Sequence, residues 1–269
     1  VYLVTGGLGG LGRIFASEIL RHAPDAHVVL AGRSEPSPAQ RQQLSAWADA
    51  RFDVEYRQAD LSQRGDVDAL LAHIDARHGR LDGVIHAAGV IRDGFLYNKT
   101  AGDYAAVFGA KVDAVDHLDA AIGDRPLDLF VLFASTSGVY GNLGQADYAA
   151  ANAFLDGHAR HRTARVARGE RHGRTLSVAW PLWADGSMQM PEAARLRLRE
   201  SGLVELTAAD GIAALYAALA TDRARVHLHR VAAAAPRRPV AVAPVLVAPP
   251  APVVVAPSAD NAQRFDQQV

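Results

Sequence analysis

Tyr148 and Asn152 stand four residues apart in the stretch DYAAAN, Asp147 to Asn152. On an alanine-rich helix that spacing puts both side chains on one face, one turn apart. A phenol that gives up its proton as a substrate oxygen gains negative charge would act as a general acid. A free phenol has a pKa of about 10, however, and is a sluggish donor near neutrality. A nearby ammonium would favour the phenolate and lower that value. The chain has only two lysines to supply one. Lys99, in the loop sequence YNKT, is expected to be solvated, and Lys111 lies in the helical stretch FGAKVDAV. Ser135 is the first hydroxyl after the apolar run that ends in LFA, thirteen residues before Tyr148 and twenty-four after Lys111. A serine at a strand end can hydrogen-bond a substrate carbonyl. Taken singly, each residue also has an ordinary reading: a tyrosine on a core helix, a serine at a strand end, an asparagine on a helix face.

A second chemical centre lies at the start of the chain. TGGLGGLG, Thr5 to Gly12, directly follows an apolar strand-like run and opens a helical one. Glycines there permit a tight turn and let a phosphate approach backbone N–H groups at a helix N-terminus. Gly6, Gly10 and Gly12 carry the TGxxxGxG spacing in the strand–turn–helix context that gives it meaning. The next strand ends in AGRS, residues 31–34. An acidic residue in that place would accept hydrogen bonds from a ribose 2′-OH. Arg33 instead offers a guanidinium suited to a 2′-phosphate, which points to NADPH, although a solvated loop arginine would look the same. Asp60 and Leu61 could cap an adenine, or Asp60 could be an ordinary helix N-cap. HAAG, His86 to Gly89, closes a strand with the small residues needed where backbone lies against a cofactor.

These groups need a scaffold, and the pattern supplies one. Apolar β-branched runs at Val1–Thr5, His27–Ala31, Asp53–Arg57, Gly83–His86, Leu127–Ala134 and Thr175–Ala179 read as strands. Helical stretches sit between them, at Leu11–Arg21, Ala39–Ala50, Val67–His78, Tyr104–Ile122 and Tyr148–Ala167, and a helix at Ala208–Ala220 precedes a last strand at Arg225–His229. Such βαβ alternation predicts an α/β fold, a Rossmann-like doubly wound parallel sheet with helices on both faces. Residues 184–206 break the alternation, with a short helix expected in MQMPEAARLRLRESG. Ligands in this architecture sit beyond the carboxyl ends of the strands, so an insertion after the sixth strand is a candidate lid.

Bulk properties narrow the function classes. At 269 residues with 49% hydrophobic content the chain can bury one large core. A net charge of -1 gives no support for a nucleic-acid or anionic-membrane partner. No apolar run reaches the ~18 residues of a membrane span. There is no cysteine, which fits a reducing, cytoplasmic compartment. His158 and His161 are flanked by arginines with no completing carboxylate or thiolate, so no metal site is expected and both are read as a solvated face. The basic run Arg160–Arg174 could meet an acidic carrier protein or be the exposed end of a helix. Val1 already lies in a strand-like run without an initiator Met, which reads as a piece of something longer. Seven of the thirteen prolines fall between Pro236 and Pro257. The expected organisation is a catalytic domain over 1–231, a linker over 232–257 and the start of a following segment over 258–269.

Assembled, the motifs VYLVTGGLGGLG, AGRS, HAAGV, AKVDA, FASTSGVYGNLGQADYAAANAFLDGHARHR and SVAWPLW resemble the catalytic half of a ketoreductase domain from a modular polyketide synthase. These domains belong to the short-chain dehydrogenase/reductase superfamily, and the resemblance covers residues 1 to about 230. Most short-chain reductases carry lysine four residues after the tyrosine and asparagine on the preceding helix. Here the two have exchanged places, as in this group and its fatty-acid-synthase relatives. The resemblance implies a catalytic set of Lys111, Ser135, Tyr148 and Asn152. It implies cofactor contacts from Thr5, Gly6, Gly10, Leu11, Gly12, Arg33, Ser34, Asp60, Leu61, Ala87, Ala88, Gly89, Pro181 and Leu182, with NADPH as cofactor.

The implied reaction is reduction of a β-ketoacyl thioester on an acyl carrier protein, within a chain that also holds a structural ketoreductase half upstream. The WPLW wording and the Ala/Arg-rich composition resemble trans-acyltransferase assembly lines. Stereocontrol would fall to Asp93, Tyr140, Gln145 and Met188, although Met188 serves equally as core filling. One subtype carries Leu-Asp-Asp after HAAGV, and Ile91-Arg92-Asp93 keeps its last Asp. The opposite subtype has tryptophan eight residues before the tyrosine, where this chain has Tyr140. That implies the B type and a D-configured hydroxyl. A free-standing short-chain dehydrogenase on small alcohols and a catalytically silent scaffold are the competing readings.

Overall fold

The computed structural model describes residues 1–186 and 192–232. All seven expected strands are present: β1 (Tyr2–Thr5), β2 (Val28–Gly32), β3 (Val54–Gln58), β4 (Gly83–His86), β5 (Leu129–Ser135), β6 (Arg174–Trp180) and β7 (Arg225–His227). They form one sheet in the order β3-β2-β1-β4-β5-β6-β7, with every pairing parallel. The order reverses between β1 and β4, which opens a crevice at their carboxyl ends.

Successive strand residues point to opposite faces, and both faces are covered. Leu3, Val29, Val84 and Leu132 pack with residues of α3 (Arg64–His78), α5 (Ala114–Ile122) and α7 (Ala146–Ala167). Their neighbours Val4, Leu30, Ile85 and Val131 pack with α1 (Gly10–His22), α2 (Pro38–Asp49) and α9 (Ala208–Leu219). Burial on both faces is why these strands read as continuous apolar runs rather than as alternations.

The long helix expected over Tyr104–Ile122 is interrupted. It comprises α4 (Ala101–Phe108), a π-turn at Gly109–Asp113 and then α5. Thr100 starts it with a capping box, its hydroxyl accepting from the Asp103 N–H while the Asp103 carboxylate accepts from the Thr100 N–H.

The insertion after β6 has a closed stem. The Leu206 N–H donates to the Leu182 carbonyl at 2.8 Å and the Ala184 N–H to the Leu206 carbonyl at 2.9 Å. Trp183 anchors it, buried against Phe15 and Trp180, and its ring would lie 2.1 Å from any Cβ at Gly211. The expected short helix is α8 (Glu192–Glu200). Met188 lies outside the described residues, as do the expected linker beyond Ala232 and the segment 258–269. Among the described residues, no helix is long and apolar enough to cross a membrane.

Candidate active site

The glycine turn between β1 and α1 is built by close backbone approach. Gly6 adopts φ +63°, and a Cβ there would sit 2.8 Å from Ala88 Cα and 2.9 Å from the Ala87 carbonyl carbon. A Cβ on Gly12 would lie 2.2 Å from the Gly6 carbonyl oxygen. HAAG therefore presses directly on the turn, and only glycine fits at both places. Gly10 and Leu11 open the first turn of α1, which has no side-chain cap at its N-terminus. Thr5 is turned inward, its hydroxyl 2.8 Å from His86 Nδ1, so it joins β1 to β4.

Beside the turn is a cleft lined by Gly6, Leu8, Gly9, Gly32, Arg33, Ser34, Gln40 and Tyr56. Its rim is held in shape: the Tyr56 hydroxyl bonds the carbonyls of Gly32 at 2.9 Å and Ser34 at 2.6 Å, and Gln58 Nε2 donates to the Arg33 carbonyl at 3.0 Å. Arg33 is exposed, and among the described residues its guanidinium has no ion-pair partner. Asp60 is not the N-cap of α3, which begins after Gln63; its carboxylate closes a turn onto the N–H and hydroxyl of Ser62. Leu61 is buried in the core. The glycine turn, the uncapped helix start, the Arg33 loop and the crevice beyond β1 and β4 fit a nicotinamide dinucleotide.

At the ends of β4 and β5 the remaining groups converge. Tyr148, in the first turn of α7, is 8% exposed. The side chains of Ser135 and Asn152 lie near enough to its phenol to favour the phenolate. Asn152 is fully buried, with Nδ2 also 2.7 Å from the Tyr148 carbonyl. The π-turn carries Lys111 inward; it is 3% exposed, donates to the Phe133 carbonyl at 2.9 Å and stands 5.7 Å from the centroid of the Tyr148 ring. π-turns recur at functional sites, and the widened turn aims a side chain that a regular helix would direct elsewhere. Lys111 Cε also lies 3.2 Å from where a Gly89 Cβ would be, so HAAG backs onto its stem.

Burial dominates the electrostatics. It raises Tyr148 above the ordinary value of 10, the polar side chains of Ser135 and Asn152 pull it back, and Asp93 adds to the rise. Burial alone lowers Lys111 to about 7. The same dry environment thus disfavours both phenolate and ammonium, and each ion is best tolerated beside the other.

Of the implied stereocontrol residues, Asp93 lies near enough to Tyr148 to act on its phenol. Gln145 Nε2 donates to Asp93 Oδ1 at 2.9 Å. Tyr140, which ends the short α6 (Ser137–Tyr140), is largely exposed, its hydroxyl 3.3 Å from His229 Nε2. Pro181 and Leu182 follow β6 at the mouth of the insertion.

The family model of the KR domain matches residues 1–185. This chain belongs to the KR domain family. It is 45% identical over 227 residues to the polyketide synthase PksN of Bacillus subtilis (strain 168), covering 84% of this chain and 4% of PksN. It is 46% identical over 227 residues to the polyketide synthase ThaG of Burkholderia thailandensis, again covering 84% of this chain and 4% of ThaG. The KR domain thus spans a small fraction of the length of these synthases. A solved ketoreductase domain from the bacillaene assembly line matches with TM-score 0.84 and 39% identity, covering 86% of this chain and 56% of that one. A short-chain dehydrogenase from Streptomyces avermitilis, at 23% identity and TM-score 0.67, shares the fold.

Three expectations about side chains need correction. Lys99 is not solvated: its side chain is 2% exposed and paired with Asp147 at 2.8 Å. His158 is not on a solvated face; it is buried against Phe130 and Phe154, with Nδ1 3.4 Å from Asp116. Nor is the basic run a free helix end. Arg162 is fully buried over the Phe130 ring, and Arg162, Arg165 and Arg171 all bind Asp119 on α5. Sequence reasoning also passed over Tyr56, Gln40 and Gln58, which shape the cleft beside the glycine turn. Their only sequence signal was position, since Tyr56 and Gln58 end the strand that neighbours AGRS. Among the described residues no group of three or more His, Asp or Glu could hold a metal ion.

Proposed function

We propose that this KR domain reduces a β-ketoacyl thioester, carried on the phosphopantetheine arm of an acyl carrier protein, to the β-hydroxyacyl thioester. The observation that carries the reading is the buried Tyr148 phenol with the Lys111 ammonium 5.7 Å from its ring centroid and the side chains of Ser135 and Asn152 acting on its hydroxyl. NADPH would supply the hydride when bound, held by Gly6, Gly10, Leu11 and Gly12 at its phosphates and by Arg33 and Ser34 at a 2′-phosphate.

The chain's own groups handle the proton. A pKa held above 10 keeps Tyr148 protonated at neutral pH, so the proton is present when charge develops on the ketone oxygen. The Ser135 hydroxyl donates to that same oxygen. As Tyr148 loses its proton, Lys111 opposes the cost of a buried phenolate. Asn152 fixes the first turns of α7 by bonding the Tyr148 carbonyl, and its buried Oδ1 remains an acceptor for proton resupply. Asp93, tied to Gln145 on the approach side, supports the B-type face and a D-configured hydroxyl.

The test is NADPH oxidation with a β-ketothioester on a pantetheine mimic, followed by chiral analysis of the product. Turnover with predominantly D-hydroxy product is expected. No turnover with the thioester, or faster turnover of small free ketones, would overturn the assignment.

A further inference from the structure

The segment leaving β4 and the segment entering α7 are joined by a buried ion pair that the chemistry above does not use. Lys99 Nζ lies 2.8 Å from Asp147 Oδ2, with the two side chains 2% and 1% exposed. The same ammonium donates to the Arg92 carbonyl and stands 6.0 Å from the Tyr104 ring centroid. The second carboxylate oxygen, Asp147 Oδ1, accepts from the Tyr148 N–H at 2.8 Å. That N–H is one of the donors a helix start leaves unsatisfied. A single pair therefore grips the backbone just before Asp93 and the backbone of Tyr148 itself. Two further bonds join the same segments, Gln145 Nε2 to Asp93 Oδ1 and the Gly94 N–H to the Gly144 carbonyl, each at 2.9 Å.

Stability is a poor reason for such a pair. Two charges taken out of water cost about what their attraction returns, and apolar residues of similar volume often serve as well or better. An apolar pair could fill the space, but it could not hold the Arg92 carbonyl or the Tyr148 amide. The distinctive property of Lys99 and Asp147 is the geometry they fix.

We propose that Lys99 and Asp147 are positioning residues that lock the Asp93 loop to the first turn of the Tyr148 helix, and so fix which face of the bound ketone is reduced. The inference rests on the ketoreductase reading. It predicts that loosening the lock blurs product configuration as well as rate.

The variants are Lys99→Met, Asp147→Asn and the apolar double Lys99→Met/Asp147→Leu, made in the chain as it stands. The first measurement is deuterium uptake by peptides spanning 91–99 and 144–150, which needs no substrate. Lys99→Met should raise uptake around Tyr148, and Asp147→Asn should raise it around Arg92. The second is the ratio of D- to L-hydroxy product and the kcat and KM of β-ketothioester reduction. A fall in kcat of roughly 10- to 100-fold is expected, the scale of a misplaced reacting group. The product should become a mixture. The double variant should melt near the wild-type temperature and still give a mixture, which a merely structural role would not produce. An unchanged ratio of D- to L-hydroxy product, or unchanged uptake across the contact, would overturn the proposal. If the unmutated chain reduces no β-ketothioester, the functional reading fails by itself and the uptake measurement still decides the lock.

Discussion

Replacing Lys111 with methionine should stabilise the cofactor-free KR domain while disabling it. Lys111 is buried, and burial lowers its pKa from 10.5 to about 7. That gap, at ~1.4 kcal/mol per unit, corresponds to a burial cost on the order of 5 kcal/mol for the charged form. The sign follows from proton counting. Between about 7 and 10.5 the unfolded chain holds a proton that the folded chain has lost, so stability rises with pH through this window. Below about 7 the cost is fully present, and above about 10.5 it is gone.

Methionine removes the charge at similar length. It also removes the donor to the Phe133 carbonyl, and a buried acceptor left short costs about 1–3 kcal/mol. The difference leaves Lys111→Met more stable by about 2 kcal/mol or more at pH 7. In a domain of this size that is roughly 4–8 °C in melting temperature. The assay is thermal unfolding by circular dichroism at pH 6, 7.5 and 9 without cofactor, the wild type beside the variant. The gap should be widest at pH 6 and narrow toward pH 9, while reductase turnover falls on the order of 10²-fold or more. A variant that melts below the wild type at pH 6, or a gap that does not change with pH, would refute the claim that Lys111 is held against a desolvation cost.

Three other outcomes are expected. Tyr148→Phe should abolish thioester reduction yet leave NADPH affinity nearly unchanged, because only the proton donor is lost; fluorescence titration and turnover together check this. Arg33→Ala should erode the preference for NADPH over NADH, read as the ratio of kcat/KM for the two cofactors, and equal use of both by the wild type would sink the 2′-phosphate assignment. Gly12→Ala forces a Cβ to 2.2 Å from the Gly6 carbonyl. It should lower stability by about 1–3 kcal/mol, the usual cost of overpacking, and weaken cofactor binding, as a melt and a titration would show.

What could be read from the sequence follows from where each interaction lies along the chain. The strands were legible because burial on both faces writes an apolar run into a few adjacent residues. The glycine turn was legible because the contact of Gly12 with Gly6 is local and chemically exclusive, although Gly6 also meets Ala87 and Ala88 from a distant strand. Lys111 could be singled out because only two lysines exist, yet nothing in FGAKVDAV announces the π-turn that aims it. That turn packs Lys111 against β5 and α7, which lie far from it in sequence.

Charge pairing was where sequence reasoning failed, and the failures share a cause. Lys99 in YNKT has every local mark of a solvated loop lysine, but its partner Asp147 is 48 residues away. Arg162 lies in a run of arginines that looks like a wet helix end, but Asp119 is 43 residues upstream on another helix. A charged side chain carries no local signal of burial, because whether it is dry depends on a partner that only the fold delivers. In this chain both lysines are drawn into the same few turns of structure around Tyr148, one beneath its ring and one bonded to the carboxylate that holds its amide. Lys111 is placed to act on the phenol's proton, and Lys99 to act on the phenol's position.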